Sequence, residues 1–136
     1  MIDHLLLDEA TIYDVKSITE ADPRICARHV YDYGYHVQRA AYISFVEALR
    51  PDLAGRVQYK WLFAELDYPH DVVVATPDGA MKETGEAGWR LALQTWGDCV
   101  SSGNWPGRAR REVMLETPPY KLAEHERKIL EASNGV

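Results

Sequence analysis

Cysteine is almost absent. The 136 residues hold two, Cys26 and Cys99, far apart in the chain. That excludes a disulfide framework and a four-cysteine zinc site, and it fits a reducing compartment. No stretch approaches the ~18 consecutive apolar residues of a membrane span. The first residues also lack the basic and apolar run of a signal sequence. There is no G-x-x-x-x-G-K-[ST] phosphate loop and no G-x-S-x-G nucleophile elbow. Positive charge is in the minority: 15 Lys+Arg against 21 Asp+Glu leave a net charge of −6. This argues against broad, non-specific nucleic-acid binding, which rests on a basic footprint. It does not exclude a nuclease site, because carboxylates must hold its metal. One local basic cluster, Arg108, Arg110 and Arg111, could touch phosphate or be a solvated loop.

What is present describes an ordinary folded protein. Hydrophobic residues make up 46% and charged residues 26%, and the length suits one domain spanning residues 1–136. Ile2 to Leu7 reads as a strand, Asp8-Glu9 as a turn, and Ala10 to Lys16 as a second strand, forming a hairpin. Ser17 to Asp22 reads as a loop. Pro23 suits a helix first turn capped by Asp22, and that helix runs to Asp32 or Tyr33, with a break at Gly34. Tyr35 to Leu49 is a stronger helix that ends before Pro51. Tyr59 to Leu66 and Asp71 to Thr76 are two further strands joined by a turn at Asp67-Tyr68-Pro69-His70. Pro77-Asp78-Gly79 is another turn. Lys82 to Val100 is a long helix with Trp89, Leu93 and Trp96 at helical spacing. Gly103 to Gly107 is a loop, Val113 to Leu115 a short strand, and Lys121 to Ala132 a final helix. The order ββ-αα-ββ-α-(β)-α predicts an α/β or α+β layered fold, a mixed central sheet flanked by helices.

The hairpin carries the first candidate chemistry. Asp14 and Lys16 are two apart on a strand and project to one side, with Val15 turned away. If Asp8 and Glu9 alone form the turn, Leu7 faces Ala10 and, counting outward, Asp3 faces Asp14. Directly opposed side chains have Cβ atoms ~4.5–5.5 Å apart. Two carboxylates at that separation repel unless a cation neutralises them, and oxygen ligands suit Mg²⁺ or Mn²⁺. A lysine beside them could stabilise an anion or hold an attacking water, as metal-assisted phosphodiester hydrolysis requires. The plain alternative is a solvated strand face. Gln38 and Tyr42, four apart, share one helix face. They could both hydrogen-bond a substrate, or Tyr42 could simply pack into the core.

Taken as an ordered set, these pieces resemble the PD-(D/E)XK nuclease superfamily. The set is Asp3, then Asp14-Val15-Lys16, then a helix bearing Gln-x-x-x-Tyr. More narrowly the chain resembles the RecB-like branch and its RecE-type phage-derived exonucleases. Tyr35-His36-Val37-Gln38-Arg39-Ala40-Ala41-Tyr42 looks like their helix, and Trp96-Gly97-Asp98-Cys99 through Gly103-Asn104-Trp105-Pro106-Gly107 looks like their distal stretch. The resemblance covers Ile2 to about Pro119. It implies that Asp3 and Asp14 bind metal, with the Val15 carbonyl as a further ligand. Lys16 is then the catalytic lysine, and Gln38 and Tyr42 lie near the active site and DNA. It also implies Mg²⁺ or Mn²⁺ as cofactor, DNA as partner, a homo-oligomer, a single-strand annealing protein as co-worker, and a cytoplasmic setting in a bacterial or phage-infected cell. Ile2 stands where the motif's name has Pro. Members of the family carry an upstream helix with an acidic residue. This chain therefore reads as the C-terminal part of a larger nuclease core, with one sheet face left uncovered. The alternative function is a catalytically inactive remnant that serves as a binding or assembly module.

Other candidates are weaker. His29 and His36, seven apart, would share a helix face as zinc ligands do, but no third ligand has suitable spacing. Cys26 reads as a buried small residue. Trp61, Trp89, Trp96 and Trp105 could stack on bases, though tryptophans at such spacing are usually core.

Overall fold

The structure is a computed structural model and describes residues 2–107, 112 and 114–133. They fall into two compact units, 1–102 and 103–136. The first holds strands β1 (His4–Leu6), β2 (Thr11–Ile18), β3 (Gln58–Glu65) and β4 (Val72–Ala75). It also holds helices α1 (Pro23–Asp32), α2 (Tyr35–Leu49) and α3 (Gly79–Ser102), with a 3-10 turn at Pro51–Leu53. The second holds α4 (Pro119–Ser133). The protein is α+β: a four-stranded mixed sheet in the order β1-β2-β3-β4, with four helices among the described residues. None of those helices is long and apolar enough to cross a membrane.

The hairpin forms as its sequence predicts. The turn is Leu7-Asp8-Glu9-Ala10, closed by Ala10 N–H donating to the Leu7 carbonyl at 3.1 Å. The register pairs Leu6 with Thr11, Leu5 with Ile12 and His4 with Tyr13. Ala10 lies at φ +50°, a left-handed conformation that glycine or asparagine would adopt more readily. Its side chain is buried at the base of the core, where a methyl fills space that glycine would leave.

From β2 the chain crosses through α1 and α2 and returns as β3, parallel to β2, so the pairing runs from Thr11–Gln58 to Ile18–Glu65. Antiparallel strands need only a turn, whereas parallel ones require such a crossover. Alternation sorts the strands. Ile12, Asp14 and Ile18 on β2, and Tyr59, Trp61 and Phe63 on β3, are buried on the inner face. Cys26 and Val30 of α1 and Val46 of α2 complete that core. On the other face Val15, Val72 and Val74 are each more than half exposed.

Helix starts follow cap chemistry. The Asp22 carboxylate accepts from Arg24 N–H at 2.8 Å, with Pro23 in the first helical position. Gly34, at φ +68°, separates α1 from α2. His29 and His36 therefore lie on different helices and do not form one zinc-ligating face. Ser17 and Ile18 belong to β2 and not to a loop, because the parallel ladder continues to Glu65. Gly79 opens α3 and is not a turn residue, because Asp78 Oδ1 accepts from Met81 N–H at 2.8 Å and caps the helix there. Met114 and Leu115 are not in a strand, and Val113 lies outside the described residues.

Helices α2 and α3 pack closely because two glycines of α3 face α2. A Cβ on Gly85 would overlap the His36 backbone carbonyl, whereas one on Gly88 would meet only the Val37 side chain at 2.8 Å. Backbone cannot rotate aside as a side chain can. The variant Gly85→Ala is expected to lose about 1–3 kcal/mol to overpacking. Gly88→Ala should cost less, because the Val37 side chain can turn aside; the helix-propensity gain of up to ~1 kcal/mol is common to both variants. Urea unfolding of the two variants checks the order, and equal stability would show that the helices separate freely.

Candidate active site

Asp14 and Lys16 share the inner face of β2, and the residues around them explain why they are tolerated there. Asp14 is 1% exposed, and the Lys16 side chain 13%. This is not a solvated strand face. Burying an unpaired carboxylate would be prohibitive. Lys16 Nζ stands 2.8 Å from Asp14 Oδ2 and supplies the compensating charge. The ammonium is fixed from two more sides. It donates to Gln38 Oε1 at 3.0 Å and lies 4.3 Å from the centre of the Tyr35 ring, a cation–π contact. Gln38 Nε2 in turn donates to the Tyr42 hydroxyl at 3.0 Å. A single chain of polar contacts thus runs Asp14–Lys16–Gln38–Tyr42, from the sheet to α2. Tyr42 also packs against the core.

Asp3 reaches the same strand by another route. The β1–β2 ladder ends at His4–Tyr13, and the Asp3 carboxylate takes over as acceptor, receiving Val15 N–H at 2.9 Å. Continuing the observed register by one pair places Asp3 opposite Asp14. In an extended strand a residue's N–H and C=O point to the same edge, so the Val15 carbonyl also faces the Asp3 side.

Tyr59 closes the site from β3. It pairs with Ile12 across the parallel ladder and is buried. Burial, then the charge of the Asp14 carboxylate, pushes the phenol's pKa well above its ordinary value, with Tyr42 and Asp3 contributing in the same direction. Both acids therefore act on one buried hydroxyl.

The donor set is hard and oxygen-only: two carboxylates and a backbone carbonyl. Asp14 Oδ2 is buried with Lys16 Nζ at 2.8 Å, so a metal ion there would share that oxygen with the ammonium. This set fits Mg²⁺ or Mn²⁺, with water in the remaining positions. No cluster of three or more His, Cys, Asp or Glu residues that could hold a metal ion occurs among the described residues.

Of the residues expected from the hairpin and helix patterns, Asp14, Lys16, Gln38 and Tyr42 are joined by contacts, and Asp3 reaches β2 through Val15 N–H. Arg108, Arg110 and Arg111 lie outside the described residues. Of the tryptophans, Trp61 is core, Trp89 packs on Phe45 and donates to Ser44 Oγ at 3.1 Å, and Trp96 and Trp105 are exposed. Sequence reasoning missed Tyr35 and Tyr59. Tyr35 was legible, since 35, 38 and 42 follow helical spacing on one face. Tyr59 depends on the β2–β3 register, which no local pattern specifies. No protein-family model matches the chain, and no curated protein does.

Two outcomes follow from these contacts. Lys16→Ala leaves the Asp14 carboxylate buried without its cation and should cost ~3–5 kcal/mol. Asp14→Asn should cost less, because Lys16 keeps Gln38 as acceptor and some contact with water. Chemical denaturation of both variants checks the asymmetry, and the reverse order would mean that Lys16 is not what neutralises Asp14. The second outcome concerns alkaline pH. The folded-state pKa of Tyr59 lies above the unfolded value of ~10. Its contribution to stability is thus complete below that pH and lost as pH rises beyond it. Wild type should therefore lose stability more steeply above pH ~10 than Tyr59→Phe, measured by denaturation at several alkaline pH values. Parallel curves would place Tyr59 in contact with solvent.

Proposed function

We propose that this chain is a metal-dependent deoxyribonuclease of the RecE-like kind within the PD-(D/E)XK superfamily, hydrolysing DNA phosphodiester bonds. The observation that carries the reading is Lys16, held between the Asp14 carboxylate and the Gln38 amide, with Asp3 just before β1 bonded to Val15 N–H and Tyr42 next in the chain of contacts. Carboxylates, a lysine and a hydrogen-bonding helix face are the groups phosphodiester hydrolysis needs in one place.

Asp3, Asp14 and the Val15 carbonyl would hold Mg²⁺ or Mn²⁺. Such an ion, when bound, polarises the phosphate and lowers the pKa of its water. Lys16 places a fixed positive charge beside the reacting phosphate, where negative charge grows in the transition state. Gln38 sets the direction of that ammonium, and the Tyr35 ring prevents it from swinging away. Tyr42, oriented by Gln38, presents its hydroxyl to the strand. Preorganisation of this kind matters because a misplacement of ~1 Å can lose ~10²-fold in rate. The cytoplasm of a bacterial or phage-infected cell belongs to this reading through the resemblance alone. A homo-oligomer and a single-strand annealing partner belong to the same reading through the resemblance alone.

The test is digestion of linear duplex DNA with Mg²⁺ or Mn²⁺. Wild type should degrade the substrate, EDTA should stop it, and Lys16→Ala should reduce turnover by at least about 10²-fold. Asp14→Asn, expected to retain the fold better, should be equally inactive. Turnover unaffected by either substitution would overturn the assignment. No turnover by the wild-type chain would favour the non-catalytic binding module.

A further inference from the structure

A cavity of about 360 Å³ shares Tyr59 with the carboxylate site, and its lining includes Arg39, Arg56, Gln58, Tyr59, Thr76 and Lys82. Three of these are cations. No carboxylate lines the cavity among the described residues, in a chain whose net charge is −6. Concentrating positive charge in one concavity is unfavourable unless something negative enters it.

Arg39 is the informative member. It follows Gln38 on α2 and its side chain is only 9% exposed. Its Nε and Nη1 are buried without a hydrogen-bond partner. The nearest acid, Glu86 of α3, is half exposed and holds Nη1 only loosely, at 3.5 Å. A buried guanidinium with two unmet N–H groups costs free energy that a well-paired one does not. Nε–H and Nη2 form the fork that meets two oxygens of one oxyanion, on the side of the guanidinium away from Nη1 and Glu86. Arg56 and Lys82 are exposed and form no ion pair with a described residue. Asp78, the cap of α3, is engaged with Met81 N–H. Gln58 and Thr76 can add neutral donors.

We infer that this cavity is a phosphate-binding site, with the Arg39 fork at its base and Arg56 and Lys82 at its mouth. Tyr59 is common to both sites, lining the cavity and facing Asp14 and Asp3. A phosphate seated here therefore lies next to the carboxylates and not among them. Assigning it to a DNA strand rests on the nuclease reading, but the pocket itself does not.

The probe is inorganic phosphate, titrated at constant ionic strength without divalent metal, while the Arg39 Nε–H signal is followed by NMR. Wild type should show a saturable shift of that signal. Arg56→Gln with Lys82→Gln, both at exposed positions, should weaken the affinity by about tenfold or more, as loss of charged hydrogen bonds does. Arg39→Lys should lower affinity as well if it folds, because one ammonium cannot replace the fork. No saturable shift, or wild-type affinity in the double variant, would overturn the inference. A hydroxyl-ended oligodeoxynucleotide that displaces phosphate identifies a strand phosphodiester as the ligand. Displacement by a mononucleotide alone identifies a terminal or free phosphate. Phosphate binding by a protein that digests no DNA would remove the nuclease reading and leave this one standing.

Discussion

The ion pair between Asp14 and Lys16 is the constraint around which the inner face of the sheet is arranged. The two charges sit two residues apart on a central strand, on the face that the core requires to be apolar. They are tolerated because each satisfies the other, and because α2 supplies an amide and two aromatic rings where water would otherwise be needed. Replacing such a pair with well-packed hydrophobic residues is often neutral or stabilising. Its presence thus points away from a purely structural purpose. The neighbouring residues behave accordingly: Gln38, Tyr35, Tyr42 and Tyr59 all gather on this one charged spot.

Much of this arrangement was legible from the chain. Hairpin register follows from a two-residue turn and period-two alternation, so the opposition of Asp3 and Asp14 could be counted along the sequence. The split between α1 and α2 follows from Gly34, and the start of α1 from Asp22 and Pro23. Helical spacing was enough to place Gln38 and Tyr42 together. Other features depended on distant partners. The length of β2 is set by β3, so Ser17 and Ile18 looked like loop until their parallel pairing was seen. Tyr59 enters the site only through that pairing. The start of α3 at Gly79 was obscured because glycine reads as a turn, while the capping oxygen of Asp78 carries the actual signal.

Arg39 shows a different limit. Flanked by Gln38 and two alanines, it has the appearance of a surface residue on an amphipathic helix. Its burial results from the close approach of α3, which Gly85 and Gly88 make possible. Small residues on one helix thereby determine the surroundings of a charge on another. Nothing in the local sequence of α2 announces it.

The parallel pairing of β2 with β3 also sets an order of events. β1 and β2 meet through a four-residue turn, so Asp3 and Asp14 come together by a local step that needs little loop closure. Gln38 is 22 residues from Lys16, and Tyr59 is 45 from Asp14. These arrive only when the α1–α2 crossover has docked, and non-local pairings of this kind form late. During synthesis from the N-terminus both carboxylates are made well before the groups that restrain them. The completed site is a product of the slowest topological step in the domain.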